Sequence, residues 1–137
     1  METVTLTIDG QPLTVEKGRT VLQAAIDHGI QIPFYCYHPA LGVDGSCRVC
    51  IVKVEKMPKL QTACSTVCTD GMVVETSSRE VVEARASVFE FLLINHPLDC
   101  PVCDKGGECE LQDLTFRYGL GESRFNEFKL HVPEKQF

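Results

Sequence analysis

No stretch of this sequence approaches the roughly 18 consecutive apolar residues needed to cross a bilayer. The nearest, Val88 to Ile94, is interrupted by Glu90 and ends at Asn95-His96, so no direct membrane span is expected. The first residues, Met1-Glu2-Thr3-Val4, offer neither a basic region nor an apolar core of the kind that directs secretion. No basic patch interrupts a net charge of −6, which argues against a nucleic-acid partner. Also missing are a Gly-x-Gly-x-x-Gly dinucleotide loop, a Walker loop and any nucleophile–base pairing. Those absences speak against a self-contained active site. Internal repeats and low-complexity segments are absent too.

Cysteine, by contrast, is abundant: eight in 137 residues. Without a secretory signal the expected compartment is reducing, where clustered thiols are metal ligands more often than disulfides. An even count also suits a disulfide scaffold, but such scaffolds are usually smaller and secreted. Seven of the eight fall into two constellations. The first runs Cys36-x10-Cys47-x2-Cys50-x13-Cys64, and the second runs His96-x3-Cys100-x2-Cys103-x5-Cys109.

The order of local signals places these sets. Val4, Leu6 and Ile8 alternate with Thr3, Thr5 and Thr7, as in a half-buried strand. Asp9-Gly10 supplies a turn, and Leu13-Thr14-Val15 returns, so residues 3–16 read as a hairpin. Thr20 and Gln23 have the spacing of a capping box. It opens a helix whose inner stripe is Leu22, Ala25 and Ile26, with Gly29 at its C-terminal end. Phe34 to Ser46 is loop, Val49 to Val54 a strand, and Met72 to Glu75 a short final strand. Ser77-x-x-Glu80 resembles another capping box, ahead of a helix from about Ser78 to Ile94. Val81, Ala84, Val88 and Phe91, with Val82, Ala86, Phe89 and Leu93 beside them, predict a wide buried face. Leu111, Leu114 and Tyr118 mark a last helix that Gly119 stops, and a charged, weakly patterned tail follows from Glu122. The expected class is α+β: a β-grasp, plant-type ferredoxin-like domain over 1–77, then a small helical domain over 78–137.

Thiolate is the soft ligand that iron–sulfur clusters require. Three cysteines on one loop with a fourth from a distant segment is a binuclear-cluster arrangement. Plant-type ferredoxins space theirs C-x4-C-x2-C…C, and the gap here is longer. Gly42, Gly45 and Ser46 let backbone N–H groups approach sulfur. Cys47-x-x-Cys50 is equally half of a zinc site. Cys68, four residues past Cys64, is the alternative fourth ligand but fits no pattern and reads as a small buried side chain. In the second set Pro97 and Pro101 stiffen the loop, and Gly106-Gly107 lets it fold back. His96, Cys100, Cys103 and Cys109 suit a [4Fe–4S] cubane, with Cys3His zinc the competitor on spacing alone. Neutral imidazole in place of thiolate makes such a cluster less negative and by charge alone raises its potential. His28, His38 and His131 are not expected to ligate. Asp99, Asp104 and Glu108 read as solvated or capping carboxylates, and Lys105 as a candidate donor to sulfur.

Two runs carry a resemblance. Phe34-Tyr35-Cys36-Tyr37-His38-Pro39 with Cys47-Arg48-Val49-Cys50 resembles the N-terminal ferredoxin region of the large iron–sulfur subunit of NADH:quinone oxidoreductase, complex I. His96 to Asp113 resembles that family's His/Cys3 motif. The resemblance covers essentially the whole sequence. It implies a [2Fe–2S] cluster on Cys36, Cys47, Cys50 and Cys64 and a [4Fe–4S] cluster on His96, Cys100, Cys103 and Cys109. It further implies an electron-relay role in the peripheral arm, at the cytoplasmic side of a bacterial inner membrane. The implied partners are a flavin- and NADH-binding subunit and other iron–sulfur subunits. Related modules serve NAD-linked hydrogenases and formate dehydrogenases, which gives an alternative setting. A zinc-stabilised interaction module is the alternative from a different class. Family members normally continue with a further cysteine-rich segment and a large molybdopterin-oxidoreductase-like domain, whereas this sequence stops at Phe137.

Overall fold

The computed structural model describes residues 2–134; the end of the expected tail, 135–137, lies outside the described residues. Strand β1 (Thr3–Ile8) pairs antiparallel with β2 (Gln11–Glu16), with Ile8 opposite Gln11. Such a two-residue connection needs positive φ at both central residues, and Asp9 (49°) and Gly10 (80°) supply it. Asp9 also ties the hairpin to distant chain: its carboxylate accepts from the Thr76 N–H at 2.8 Å and from the Thr76 hydroxyl. Helix α1 (Val21–Asp27) follows with its capping box in place, Thr20 and Gln23 each accepting from the other's backbone. Gly29, at φ +70°, takes the left-handed turn after it.

Three further strands complete the sheet: β3 (Ile51–Val54), β4 (Gln61–Thr62) and β5 (Met72–Glu75). Their order is β2-β1-β5-β3-β4. The β1–β5 pair is parallel, and the other pairs are antiparallel. Val21, Leu22, Ala24 and Ala25 of α1 share one core with Leu6, Ile8, Leu13, Val15, Val52, Val54 and Val74. The sheet therefore grips its helix on one face. The cysteine loop, residues 34–50, runs from the end of α1 to the start of β3.

Strand β3 begins at Ile51, two residues later than the alternation suggests. Arg48 has φ +63°, a left-handed conformation that a non-glycine residue seldom adopts, and the chain is still turning through Cys50.

Helix α2 (Arg79–Leu93) is capped by Ser78 rather than Ser77; the Ser78 hydroxyl accepts from the Val81 N–H at 3.4 Å. Its buried face is narrower than the wide stripe expected. Val81, Arg85 and Phe89 are buried, whereas Val82 is 49% and Phe91 75% exposed. The helix rests against the body along one i, i+4, i+8 ridge, so residues to either side of that ridge stay wet.

After a short 3-10 turn (Cys100–Val102), α3 (Glu110–Tyr118) packs on α2. Cys47, Val49, Phe89 and Leu111 form a second core, with Cys36, Val88, Leu92, Leu93, Cys109, Leu114 and Tyr118 packed around it. The weakly patterned tail runs back along α2. Arg124 makes a bidentate pair with Glu90 at 2.9 Å. Lys129 Nζ donates to the Leu93 and Ile94 carbonyls at 2.8 Å each, satisfying the end of the helix.

Candidate metal centres

In the first set the fold brings Cys36, Cys47, Cys50 and Cys64 together. Cys36 comes from the loop after α1, Cys47 and Cys50 from the tight turn before β3, and Cys64 from the segment just past β4. Backbone N–H groups point at the sulfurs. Those of Cys36 and Val49 donate to Cys47 Sγ at 3.4 Å, and that of Cys64 donates to Cys50 Sγ at 3.5 Å.

The electrostatics separate these thiols from their neighbour. Burial opposes ionisation of Cys36, yet donors from the Cys47, Gly45 and Ser46 backbone outweigh it and hold that thiol below its ordinary range. Burial pushes Cys47 up despite the Val49 and Cys36 N–H groups. Cys64 is pushed up to about 12 by burial, by its hydrogen bond with Cys50, and by repulsion from Cys50, Cys36 and Cys47. Each of the other three thus acts on Cys64. Cys68, only 3% exposed, is pushed up by burial and feels none of them.

This donor set fits a polynuclear iron centre. Four thiols gathered at one site, with backbone N–H groups aimed at two of the sulfurs, suit a cationic iron core, and N–H···S bonds are how proteins stabilise the negative charge that remains.

The second set meets the same hydrophobic cluster through Cys109. His96 lies just past the end of α2, its N–H bonded to the Leu93 carbonyl at 3.2 Å. Cys100 and Cys103 flank the 3-10 turn, and Cys109 caps the N-terminus of α3. The chain closes on itself because Gly106 lies against the turn; a Cβ there would meet the Cys100 carbonyl oxygen at 2.7 Å. His96, Cys100, Cys103 and Cys109 all line one cavity of about 280 Å³, whose remaining wall includes Leu93, Leu98, Leu111 and Phe116. A single tetrahedral ion, with Zn–S bonds of about 2.3 Å, needs far less room. The soft donor set and the apolar wall suit a cubane.

The remaining histidines are engaged locally or exposed. His28 Nδ1 lies 2.9 Å from the Ala24 carbonyl, His38 Nδ1 accepts from the Ala40 N–H at 3.1 Å, and His131 is exposed. Asp99, Asp104, Lys105 and Glu108 are exposed. Sequence reasoning missed Arg85, which is only 4% exposed. Its position halfway between Val81 and Phe89 on the buried ridge was the available signal. Gln112 was missed as well; its side-chain oxygen accepts from the Gly107 N–H at 3.2 Å and braces the second loop.

A five-stranded grasping sheet with a cysteine loop, followed by a helical His/Cys3 site, defines an iron–sulfur protein of the ferredoxin-like class. Residues 1–79 match the family described as "2Fe-2S iron-sulfur cluster binding domain", and the chain belongs to that family. Residues 85–124 match the "NADH-ubiquinone oxidoreductase-G iron-sulfur binding region". The chain accordingly binds one [2Fe–2S] cluster in its first part and one [4Fe–4S] cluster in its second. It is 50% identical over 96% of its length to the NADH-ubiquinone oxidoreductase 75 kDa subunit of Reclinomonas americana. An NADH-quinone oxidoreductase subunit of Rickettsia bellii is 51% identical over the same share. The mitochondrial NADH-ubiquinone oxidoreductase 78 kDa subunit of Candida albicans is also 51% identical, over 90% of this chain. The chain spans only 19%, 19% and 17% of those relatives. Among solved structures it resembles a chain of an NAD+-reducing [NiFe]-hydrogenase crystallised in the H2-reduced state. That match has a TM-score of 0.87 and 33% identity, and it covers 95% of this chain and 55% of the other.

Proposed function

We propose that this chain is an iron–sulfur electron-transfer module of the peripheral arm of a respiratory NADH:quinone oxidoreductase. In this reading Cys36, Cys47, Cys50 and Cys64 hold the [2Fe–2S] cluster, and His96, Cys100, Cys103 and Cys109 hold the [4Fe–4S] cluster. Bound clusters supply one-electron acceptance and release, so the chain returns to its starting state after each electron passes. The protein's own part is to hold both donor sets at fixed separation, aim N–H groups at the sulfurs and exclude water between the sites.

One observation carries the reading. Cys36 and Cys47 of the first set and Cys109 of the second pack on the same hydrophobic cluster, so both sets border one dry core. Relay between two centres needs such closeness and rigidity; two independent structural zinc sites do not.

Residues 1–77 and 78–137 act as two units, one for each cluster, joined through that core. NADH and flavin bind on a neighbouring subunit, which passes electrons to this chain; further iron–sulfur subunits carry them toward quinone. The chain contributes to the oxidoreductase, and to any translocation coupled to it, as a conductor without an active site of its own. No helix among the described residues is long and apolar enough to cross a membrane. Its place in the reading is the peripheral arm on the cytoplasmic side of the inner membrane.

A second setting has specific support. The likeness to the NAD+-reducing hydrogenase chain fits a relay between an NAD-linked flavin site and a hydrogenase or formate dehydrogenase. Purification of the native assembly decides: quinone reductase activity with NADH supports the respiratory reading, and hydrogen- or formate-linked activity overturns it.

A further inference from the structure

Arg85 is a charged group with no ionic partner among the described residues. Its guanidinium is buried, yet every direct contact is neutral. Nε donates to the Val49 carbonyl at 3.3 Å, and Nη2 donates to the Ile51 carbonyl at 2.8 Å and the Thr76 carbonyl at 3.2 Å. The Tyr118 ring lies 5.5 Å from its carbon. Arg85 takes part in none of the ion pairs among the described residues. A guanidinium stays protonated in proteins, and a buried, uncompensated charge is strongly unfavourable.

Two of the three carbonyls belong to the residues on either side of Cys50. The cation is therefore clamped to the peptide segment that carries a ligand of the first cluster. Burial acts to lower the Arg85 pKa, while Tyr118 and Cys50 act to raise it.

We propose that Arg85 is the fixed counter-charge of the first cluster and raises its reduction potential. The proposal rests on the ligand reading given above. Four thiolates outweigh the charge of the iron core, and each added electron makes the centre more negative. A cation that cannot move or deprotonate favours the reduced form. Arg85 acts as a positioning residue as well, because the same guanidinium fixes the Val49 and Ile51 carbonyls and hence the turn around Cys50. All three carbonyls it holds belong to the first part of the chain, residues 49, 51 and 76, so the second cluster is expected to feel it less.

The test is a redox titration of the cluster-loaded 137-residue chain, each cluster followed by its own paramagnetic signal, for wild type, Arg85→Gln and Arg85→Lys. Arg85→Gln removes the charge; Arg85→Lys keeps the charge but loses the planar fork. With Arg85→Gln the first cluster's reduction equilibrium is expected to fall at least tenfold, ~59 mV for a one-electron couple, and the second cluster's to move less. Arg85→Lys is expected to stay within threefold of wild type. The proposal is overturned by an Arg85→Gln chain whose first cluster is loaded and titrates within threefold of wild type. It is overturned equally by an Arg85→Lys chain that falls as far as Arg85→Gln. Should Arg85→Gln not load the first cluster, Arg85→Lys decides alone: loaded and unshifted supports the proposal, loaded and tenfold shifted overturns it. Failure of both variants to load makes Arg85 a folding contact and also overturns it. A wild-type chain lacking the first signal contradicts the ligand assignment instead.

Discussion

Single atoms decide whether the second loop closes. Gly106 approaches the Cys100 and Cys103 carbonyl oxygens so closely that an added methyl would sit 2.7 and 3.1 Å from them. Backbone cannot yield there as a flexible side chain would. Gly106→Ala should therefore abolish most of the [4Fe–4S] signal while leaving the [2Fe–2S] absorbance close to wild type; an unchanged second signal contradicts the tight-turn account. The two neighbouring thiols past β4 make a second comparison. Cys64 is repelled by the other three thiols of the first set, and Cys68 is not. Cys64→Ala should lose the first cluster and Cys68→Ala should keep it, as read from the visible spectrum after reconstitution. The reverse pattern would exchange their roles.

At the scale of elements, the ridge of α2 joins the two parts of the fold. Phe89 is fully buried against Cys47, Val49 and Leu111, so Phe89→Ala should cost about 3–5 kcal/mol in denaturant unfolding of the metal-free chain. The same variant should weaken retention of both clusters, because both ligand sets border the cavity it creates. A loss below about 1 kcal/mol, well under the cost of a core phenylalanine, would mean that α2 does not carry the shared core. Much of this level was legible beforehand. The Thr3–Glu16 hairpin, the Thr20–Gln23 capping box and the last helix rest on contacts within a few residues, which alternation and cap spacing report directly. Strand β4 has only two residues, too few for any period to show. The start of β3 was displaced by the left-handed Arg48, and the buried width of α2 depends on what packs against it. Arg85 was passed over because a charged side chain in an apolar stripe counts as a break in the pattern, whereas here three distant carbonyls receive it. Spacing alone suggested both candidate donor sets but left zinc open as the metal, and in the first set Cys64 comes from a segment remote from the loop of Cys36, Cys47 and Cys50. The common core of the two sets was not legible, because it joins residues far apart in the sequence, Cys47 to Leu111 among them.

At the scale of the molecule, the described residues bring members of both candidate ligand sets to the border of one shared hydrophobic cluster. If that arrangement serves relay, the sites are separable by mutation but coupled in position. Cys47→Ser should remove the first centre and leave the second, and Cys103→Ser should do the opposite. Spectra of the two variants, summed, should reproduce the two-cluster spectrum apart from small shifts. The central claim is most directly tested by metal and acid-labile sulfide analysis of the anaerobically purified chain, alongside its paramagnetic spectrum after reduction. The account predicts brown protein with iron and sulfide in equal amounts and two distinct signals. Colourless protein holding zinc, with no labile sulfide and no signal on reduction, would contradict it.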